Sequence, residues 1–491
     1  MHRIKLSVLF FVFLSPALFA QSKRPMTFDD MMAMKRLGET AVSPDGKWLA
    51  YSVTTVDLEK NLKTPELWLQ KIEGGEPMKI SVAQPGDSGP QFSHDGKHIL
   101  LLSSRDGAQQ IWLADFDPPT GATSNAKKLT TIATEADNAR WSPDGQSIVF
   151  TSSVYPDCPA ITFDKAEGDK CNADKNKAAA ESKVKAQIFT ALLYRHWNHF
   201  TGPKRSHLFL VQLDSGKIRD LNPGDSHDVP PFSLGGGGGF SISPDSKELA
   251  FTENPDPVPA TSTSAQIYTL DLTDPAAKPI KISTSAGGNF DPAYSPDGKY
   301  IAWRSQARAG YESDKFRLML YDRSTKTLAD LLPKLDNWVD EFAWASDSKN
   351  LYFTSGVSGS EPIFSVATNG NNLSWRTGLG VIANDFENGE YSDLHITSDG
   401  RYLLAARMTV SKPSEEYVMQ LGVDSGMNVD KFGSAIHVRP GSLDSAGYEL
   451  DKISQLTRLN EAVLERIQTW GGGAHEPEPM ESFWFTAKDG T

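Results

Sequence analysis

The sequence predicts an all-β fold, a seven-bladed β-propeller whose blades are four-stranded antiparallel sheets. The first observation behind this prediction is a short motif, Ser-Pro-Asp-Gly or a close variant followed by an apolar run, which occurs seven times. The second is its period, because neighbouring copies lie about 50 residues apart except across one interval of 101 residues. The seven copies place their aspartates at Asp45, Asp95, Asp144, Asp245, Asp297, Asp347 and Asp399. A period of this length is typical of propellers and solenoids.

Each copy of the motif predicts a tight turn, which we call the anchor turn. Its Ser and Asp side chains can bond to nearby backbone, Pro presets the first corner, and Gly accommodates the last corner. An apolar strand follows each anchor turn, and a second strand comes further on, as at Leu67–Leu69, Ile111–Leu113 and Ile267–Leu270. Such a meander cannot bury both of its faces alone, so successive units must stack face to face around an axis.

The long interval lies between Asp144 and Asp245, and it has two explanations. It could hold an eighth blade with a degraded anchor turn, or blade three could carry a large insertion. We favour an insertion at about residues 154–192, because this stretch is rich in Lys, Asp and Ala and poor in strand signals. The sequence that follows the insertion supplies one further pair of strands, at Leu208–Val211 and Lys217–Leu221.

The chain has two cysteines, Cys158 and Cys171, and both lie in this predicted insertion. In an oxidising compartment they would form a disulfide that closes a local loop and stabilises it by about 3 kcal/mol in the chain-entropy model. The alternative is a half-formed metal site, but the pair lacks a second Cys pair or a nearby His.

Residues 1–20 have the plan of a secretory signal peptide. His2, Arg3 and Lys5 precede the apolar run Leu6–Leu14, and the small residue Ala20 ends the segment. The alternative is a membrane-spanning helix, for which the apolar run is short. We therefore expect a periplasmic or secreted protein that has no membrane attachment once the signal is cleaved.

The segments before and after the predicted propeller have sequence patterns of their own. Residues 21–36 predict a lead-in helix, with a capping box at Thr27–Asp30 and Phe28, Met31, Met32 and Leu37 as its apolar side. The propeller should then occupy residues 37–470, with Ile453–Leu459 as its closing strand. Residues 471–491 read as a linker and one aromatic strand, Ser482–Thr486.

Composition excludes several classes of function. The net charge of −13 predicts a surface that repels nucleic acid. The run Gly235–Gly239 lacks the Lys-Ser/Thr ending of a phosphate-binding loop. Asp115 and Asp117 could suggest calcium, but they lack the other oxygen ligands of a loop site and fit a strand-ending turn better. We predict no cofactor and no metal.

One stretch outside the repeat is both aromatic and basic, Leu193–Phe200. Its candidate substrate-facing residues are Tyr194, Arg195, His196 and Trp197. Two interpretations stay open: the stretch is a strand edge packed against the insertion, or it is a wall that faces a substrate.

Several segments together carry a resemblance to a known family. The exported N-terminus, Met31–Gly38 before the first anchor turn, Val229–Ser233 and Gln455–Asn460 resemble the propeller of the prolyl oligopeptidase family. The resemblance covers the chain after its signal, and it is greatest to bacterial secreted dipeptidyl and acylaminoacyl peptidases. The anchor turn alone is less specific, since periplasmic Tol-system propellers use similar turns.

The resemblance implies that an α/β-hydrolase domain follows the propeller, and Phe483–Phe485 with Asp489–Thr491 looks like its first hairpin. The chain contains no Gly-x-Ser-x-Gly nucleophile elbow. The segment Gly224–Asp228 is the nearest match to this motif, but it has Asp228 where the motif requires Gly. We interpret His227 and Asp228 as turn residues. No catalytic residue can therefore be assigned.

Two functions follow from these observations. The resemblance implies that the intact protein is a serine exopeptidase acting on short peptides, in which the propeller screens the active site, and that this chain alone is inactive. The alternative is a non-enzymatic periplasmic binding propeller of the Tol-system type.

Overall fold

A computed structural model describes most of the chain. The described residues are 23–190, 192–196, 199–231, 239–357, 359–370, 374–375, 389–421, 453–469 and 485–488. Within them the chain forms seven four-stranded antiparallel sheets, each with its strands in sequence order. The predicted seven-bladed propeller is confirmed, and the long interval adds no eighth blade to the described part of the chain.

The first three blades occupy residues 36–220. Blade one contains β1 (Arg36–Val42), β2 (Trp48–Asp57), β3 (Leu62–Lys71) and β4 (Met78–Lys79). Blade two contains β5 (Ser88–Phe92), β6 (His98–Ser103), β7 (Gln110–Asp117) and β8 (Ala122–Lys128). Blade three contains β9 (Asp137–Trp141), β10 (Ser147–Val154), β13 (Arg205–Gln212) and β14 (Ile218–Asp220), and a separate hairpin of β11 (Arg195–His196) and β12 (His199–Phe200) lies between β10 and β13.

The remaining four blades occupy residues 240–455. Blade four contains β15 (Phe240–Ile242), β16 (Glu248–Glu253), β17 (Gln266–Asp271) and β18 (Ile280–Lys281). Blade five contains β19 (Asn289–Tyr294), β20 (Tyr300–Ser305), β21 (Arg317–Asp322) and β22 (Thr327–Asp330). Blade six contains β23 (Glu341–Trp344), β24 (Asn350–Thr354), β25 (Ile363–Ala367) and β26 (Ser374–Trp375). Blade seven contains β27 (Gly389–Ile396), β28 (Tyr402–Thr409), β29 (Glu415–Gln420) and β30 (Ile453–Gln455).

The anchor turns occupy the same position in every blade, between its first and second strands. In six blades a Ser or Thr hydroxyl donates to the turn's aspartate, for example from Ser43 to Asp45 at 2.6 Å and from Thr397 to Asp399 at 2.7 Å. The corner residue has a left-handed backbone, with φ of +65° at Gly46. The repeat is therefore one structural device used seven times, as the sequence predicts.

The hydrophobic core lies between the blades. One buried cluster joins blade two to blade three through residues such as Ile111 and Phe209, and another joins blade seven to blade one through Leu404 and Tyr51. The apolar strands predicted from the repeat are thus buried by face-to-face packing of neighbouring sheets, which explains why the blades need one another.

The ring closes without a shared strand, because every described blade takes all its strands from its own stretch of sequence. The predicted closing strand Ile453–Leu459 is β30, Ile453–Gln455, and it is the fourth strand of blade seven. Side chains join the first and last blades instead. Gln70 Nε2 donates to the carbonyl of Leu456 at 2.8 Å, and the Asn460 amide exchanges two hydrogen bonds with the backbone of Lys35.

The blade-three insertion runs between β10 and β13, over residues 155–204, so it extends past the predicted boundary at 192. The added part is the β11/β12 hairpin, which forms its own two-stranded sheet. A helix, α2 (Glu167–Glu181), follows Cys158, and Cys158 is joined to Cys171 by a disulfide with their Cα atoms 5.8 Å apart. Asn172 fixes α2 to the ring, because its Oδ1 accepts a hydrogen bond from Tyr155 N at 2.8 Å.

The lead-in helix is α1 (Phe28–Ala33), and its predicted capping box is present between Thr27 and Asp30. Its predicted apolar side is not buried, since Phe28 is 61% exposed and Met31 is 40% exposed. The helix has fewer than two turns and is fixed by polar contacts instead. Asp30 pairs with Arg24, whose backbone in turn bonds to the carbonyl of Arg466 at 3.1 Å, just after helix α3 (Glu461–Leu464).

The proposed signal peptide, residues 1–20, lies outside the described residues, as does most of the predicted linker and strand at 471–491. Among the residues that the structure describes, no helix has the length and apolar character needed to cross a bilayer.

Candidate functional site

A cavity of about 1130 Å³ lies beside the blade-three insertion, and we call it the insertion cavity. The insertion and the start of β13 form one side of it through residues 187–190, 192–194, 201–203 and Arg205. The opposite side comes from the loop after blade three, the loop after β16 and the edge of blade five, including Phe290 and Gln306. The segment between β10 and β13 therefore encloses space against residues near blades four and five, with the start of β13 in its own sheet also lining the cavity.

The insertion contributes an aromatic cluster to this cavity. The Phe189 ring lies 5.3 Å from the Tyr194 ring and 5.8 Å from the Phe200 ring. Tyr194 lines the cavity and is 43% exposed, and Ile188 and Leu192 add further exposed apolar surface. Aromatic faces of this kind can pack against apolar side chains of a ligand and offer a hydroxyl for orientation.

Arg205 and Asp228 fix the base of the insertion to the loop after blade three. The Arg205 guanidinium donates to the carbonyls of Ser226 at 3.1 Å and Gly202 at 2.9 Å. The Asp228 carboxylate accepts a hydrogen bond from Ser206 N at 2.8 Å. Burial raises the pKa of Asp228 above its usual range, although this hydrogen bond and the charge of Arg205 oppose the rise.

A polar cluster of Asp225, His227 and Glu253 lies beside the insertion cavity, which only His227 of the three lines. One possible ligand atom from each of the three lies within 4.8 Å of the other two. His227 Nδ1 lies 2.9 Å from Asp225 Oδ1. Burial, with the charge of Asp225, raises the pKa of Glu253 to about 7, while His227 opposes the rise. This cluster concentrates negative charge beside a cavity.

His207 supports the cluster from behind and is 1% exposed. Its Nδ1 lies 3.0 Å from the Asp220 carboxylate, and its Nε2 lies 3.0 Å from the backbone oxygen of Asp225. Burial alone lowers the pKa of His207, but the hydrogen bond to Asp220 and the nearby charges of Asp220 and Asp225 outweigh it and raise that pKa. The backbone of Asp225 is thereby held in place.

The structure describes the side chains of two of the four predicted substrate-facing residues. Tyr194 lines the insertion cavity, and Arg195 lies exposed at the start of β11. The side chain of His196 and all of Trp197 lie outside the described residues. Whether these residues face a substrate stays a prediction.

Other residues of the site were not predicted from sequence. The sequence predicts that His227 is a turn residue, and it does lie in a loop. Glu253 gave no sequence signal, because it is the last residue of a regular strand and meets Asp225 through the packing of blade four beside blade three.

These features define the class of the molecule as a seven-bladed propeller with a cavity under a blade insertion. No protein-family model matches the chain. Among curated proteins, it is 29% identical over 347 residues to dipeptidyl-peptidase 5 of Porphyromonas gingivalis, a match that covers 69% of this chain and 47% of that protein. It is 24% identical over 360 residues to dipeptidyl-peptidase 5 of Trichophyton equinum, with the same coverages of 69% and 47%. The chain thus spans about half the length of the curated relatives it matches.

Solved structures share the fold. An acylaminoacyl peptidase from Pyrococcus horikoshii matches with a TM-score of 0.59 and 14% identity, over 90% of this chain and 55% of that one. The β-propeller domain of the Trilobed protease from Pyrococcus furiosus matches with a TM-score of 0.50 and 14% identity, over 83% of this chain and 98% of that one. The predicted resemblance is confirmed: this chain is similar to the β-propeller portion of prolyl oligopeptidase family peptidases.

Proposed function

We propose that this chain is the substrate-restricting propeller of an exported serine exopeptidase that hydrolyses short peptides. The observation that carries the proposal is the 347-residue similarity to a protein named dipeptidyl-peptidase 5. The insertion cavity supports it, because its aromatic cluster and polar wall offer both kinds of contact that a short peptide requires.

The chemistry in this proposal comes from an α/β-hydrolase domain that acts with the propeller. A serine peptidase needs a nucleophile, a base and an oxyanion hole, and the sequence contains no Gly-x-Ser-x-Gly elbow to provide the first. The backbone bonds of Arg24 to Arg466 and Gln468 support a placement of this domain where the two ends of the propeller meet. The propeller's role is then to admit short peptides and exclude folded chains.

Export is part of the same proposal. Disulfides persist in oxidising compartments and are rare in the cytosol, so the bond between Cys158 and Cys171 supports a periplasmic or secreted location. Fractionation of the source cells, with alkylation and mass spectrometry of the recovered protein, tests it. Recovery of the protein in the cytosol with both thiols alkylated would contradict export.

The enzymatic test uses two proteins, the chain as printed and the product of its gene read to the first in-frame stop codon. We expect the first to hydrolyse no dipeptidyl amide and to resist a serine-directed phosphonate, and the second to cleave dipeptidyl amides. Labelling of the printed chain at one equivalent, or absence of peptidase activity in the gene product, would refute the proposal.

The restricting role needs its own variant in that gene product. Replacing residues 187–201 with a short Gly-Ser linker removes one side of the insertion cavity. We expect cleavage of peptides of about 30 residues to rise severalfold, with dipeptidyl amide hydrolysis changed less than twofold. The matched control replaces the exposed β2–β3 turn, residues 58–61, with the same linker. An unchanged size preference in the first variant would exclude a restricting role for the insertion.

A further inference from the structure

We propose that Asp225, His227 and Glu253 form a binding site for a divalent transition-metal ion, with Zn²⁺ as the best match. The site would join the loop after blade three to the second strand of blade four. It is independent of the proposed peptidase role, since it depends on these three side chains and requires no hydrolase chemistry.

The geometry of the three side chains is the first argument. Their candidate ligand atoms lie within 4.8 Å of one another, while neighbouring ligands of a tetrahedral Zn²⁺ site are about 3.3 Å apart. Closing that difference takes about 1.5 Å, within reach of small side-chain rotations. Asp225 and His227 already touch, with Nδ1 and Oδ1 at 2.9 Å, so the ion would take the place of this direct contact.

The second argument is that the protein holds two of these ligands in place. Asp225 Oδ1 also accepts a hydrogen bond from His227 N at 2.9 Å, which sets the two side chains on the same side of their loop. The backbone oxygen of Asp225 lies against buried His207, whose other ring nitrogen is fixed by Asp220. Metal ligands in proteins commonly have such outer partners, which orient them before the ion arrives.

Charge is the third argument. Two carboxylates lie together at a partly buried position, and no described Lys or Arg forms an ion pair with Glu253 or Asp225. Some partly buried acids elsewhere in the ring do have such a cation, as Glu248 has Arg323 at 3.0 Å. A divalent ion would supply the missing positive charge.

The ligand types select the metal. One imidazole and two carboxylates suit Zn²⁺ and related transition metals, whereas Ca²⁺ prefers six or more oxygen ligands. Three protein ligands leave one tetrahedral position for water or for an oxygen of a bound molecule. His227 lines the insertion cavity, and Asp225 lines a neighbouring cavity of about 310 Å³, so the ion would be reachable from solvent.

The test is a calorimetric titration of the purified, chelator-treated chain with Zn²⁺. We expect one equivalent to bind, with an affinity at least tenfold higher than that for Ca²⁺, and the melting temperature to rise on saturation. The near-isosteric variants Asp225→Asn, His227→Gln and Glu253→Gln should each lose at least tenfold in Zn²⁺ affinity. Co²⁺ bound at the site should give a visible absorption spectrum that reflects nitrogen coordination. His227→Gln should abolish that nitrogen signature.

His98→Gln is the matched control, because His98 lies 3.3 Å from the Asp115 carboxylate on the surface and belongs to no group of three ligands among the described residues. It should bind Zn²⁺ as the unaltered chain does. Circular dichroism checks that each variant folds. The three substitutions are independent, so if one variant does not fold, the other two still test the proposed metal site. Lack of saturable Zn²⁺ binding, or equal affinity in the unaltered chain and His227→Gln, would overturn the proposal.

Discussion

Glu416 is a fully buried acid on β29, and neither of its carboxylate oxygens has a hydrogen-bond partner among the described residues. Burial raises its pKa well above the ordinary value of 4.5, and the negative charges of Asp393 and Glu341 raise it further. A carboxyl with a raised folded-state pKa costs stability above its unfolded pKa. That cost grows by about 1.4 kcal/mol per pH unit until the folded-state pKa is reached.

Glu416→Gln should therefore stabilise the chain at neutral pH by about 1 kcal/mol or more, and the gain should increase from pH 5 to pH 7.5. Denaturant unfolding at both pH values measures this difference. Glu390→Gln, at an exposed position on β27 of the same blade, controls for the loss of one charge. A gain independent of pH, or a loss at both values, would show that Glu416 has a partner in the folded protein.

At the scale of the element, the anchor turn is a hydrogen-bonded unit that one blade has lost in part. In blade two, Ser93 Oγ donates to Asp95 at 2.6 Å and accepts from His98 N at 3.0 Å. In blade six, Ala345 occupies the equivalent position, and Asp347 retains a hydrogen bond from Lys349 N at 2.8 Å. The sequence difference thus has a direct structural counterpart.

Opposite substitutions in these two turns should have opposite effects. Ser93→Ala is expected to destabilise the chain by about 1 to 2 kcal/mol, because it removes the hydroxyl that accepts from His98 N and donates to Asp95, which keeps only its hydrogen bond from Lys97 N. Ala345→Ser should stabilise it by about 0.5 to 1 kcal/mol by adding the hydroxyl. Paired denaturant curves measure both changes. Destabilisation by Ala345→Ser would mean that its site is too tightly packed to accept the oxygen.

The disulfide belongs to the insertion and should act on that element alone. Replacing Cys158 and Cys171 together by Ser removes a crosslink worth about 3 kcal/mol to a loop of this size in the chain-entropy model. Hydrogen exchange should accelerate in α2 and stay unchanged in strands of blade seven, none of whose described residues lines the insertion cavity. Faster exchange in blade seven would show that the insertion supports the whole ring.

For the whole molecule, the decisive contact is the closure between blades one and seven. Asn460 is 1% exposed, and its amide bonds to both backbone groups of Lys35, at 2.8 Å and 3.0 Å. Because no strand among the described residues is shared across this boundary, such side-chain bonds and the apolar contacts around Tyr51 hold it.

Asn460→Ala should destabilise the chain by about 1 to 3 kcal/mol, since it removes both hydrogen bonds that the buried Asn460 amide makes to the Lys35 backbone. Hydrogen exchange should show the loss first in β1 and β29. Asn350→Ala is the control, because Asn350 makes a 3.5 Å contact to Asp347 within its own turn. Equal effects of the two substitutions would argue against closure as the weak point of the ring.

The sequence alone determined the number of blades, the place of the anchor turns and the location of the insertion. These features are local and repeated: a turn such as Ser43–Gly46 is specified by its own residue types, and its period fixes the architecture. The pairing of Cys158 with Cys171 was equally accessible, because two cysteines in one loop leave no other partner within the chain.

Only the tertiary structure decided the site and the way in which the ring closes. Asp225 lies in the loop after blade three and Glu253 on a strand of blade four, so their meeting depends on tertiary packing and leaves no mark in local sequence. The exposure of Phe28 also depends on tertiary structure. An amphipathic pattern predicts which side of a helix can be buried, but it does not predict whether another part of the protein covers that side. Local chemistry repeats along the chain and can be read from it, whereas contacts between distant segments depend on the geometry of the closed ring.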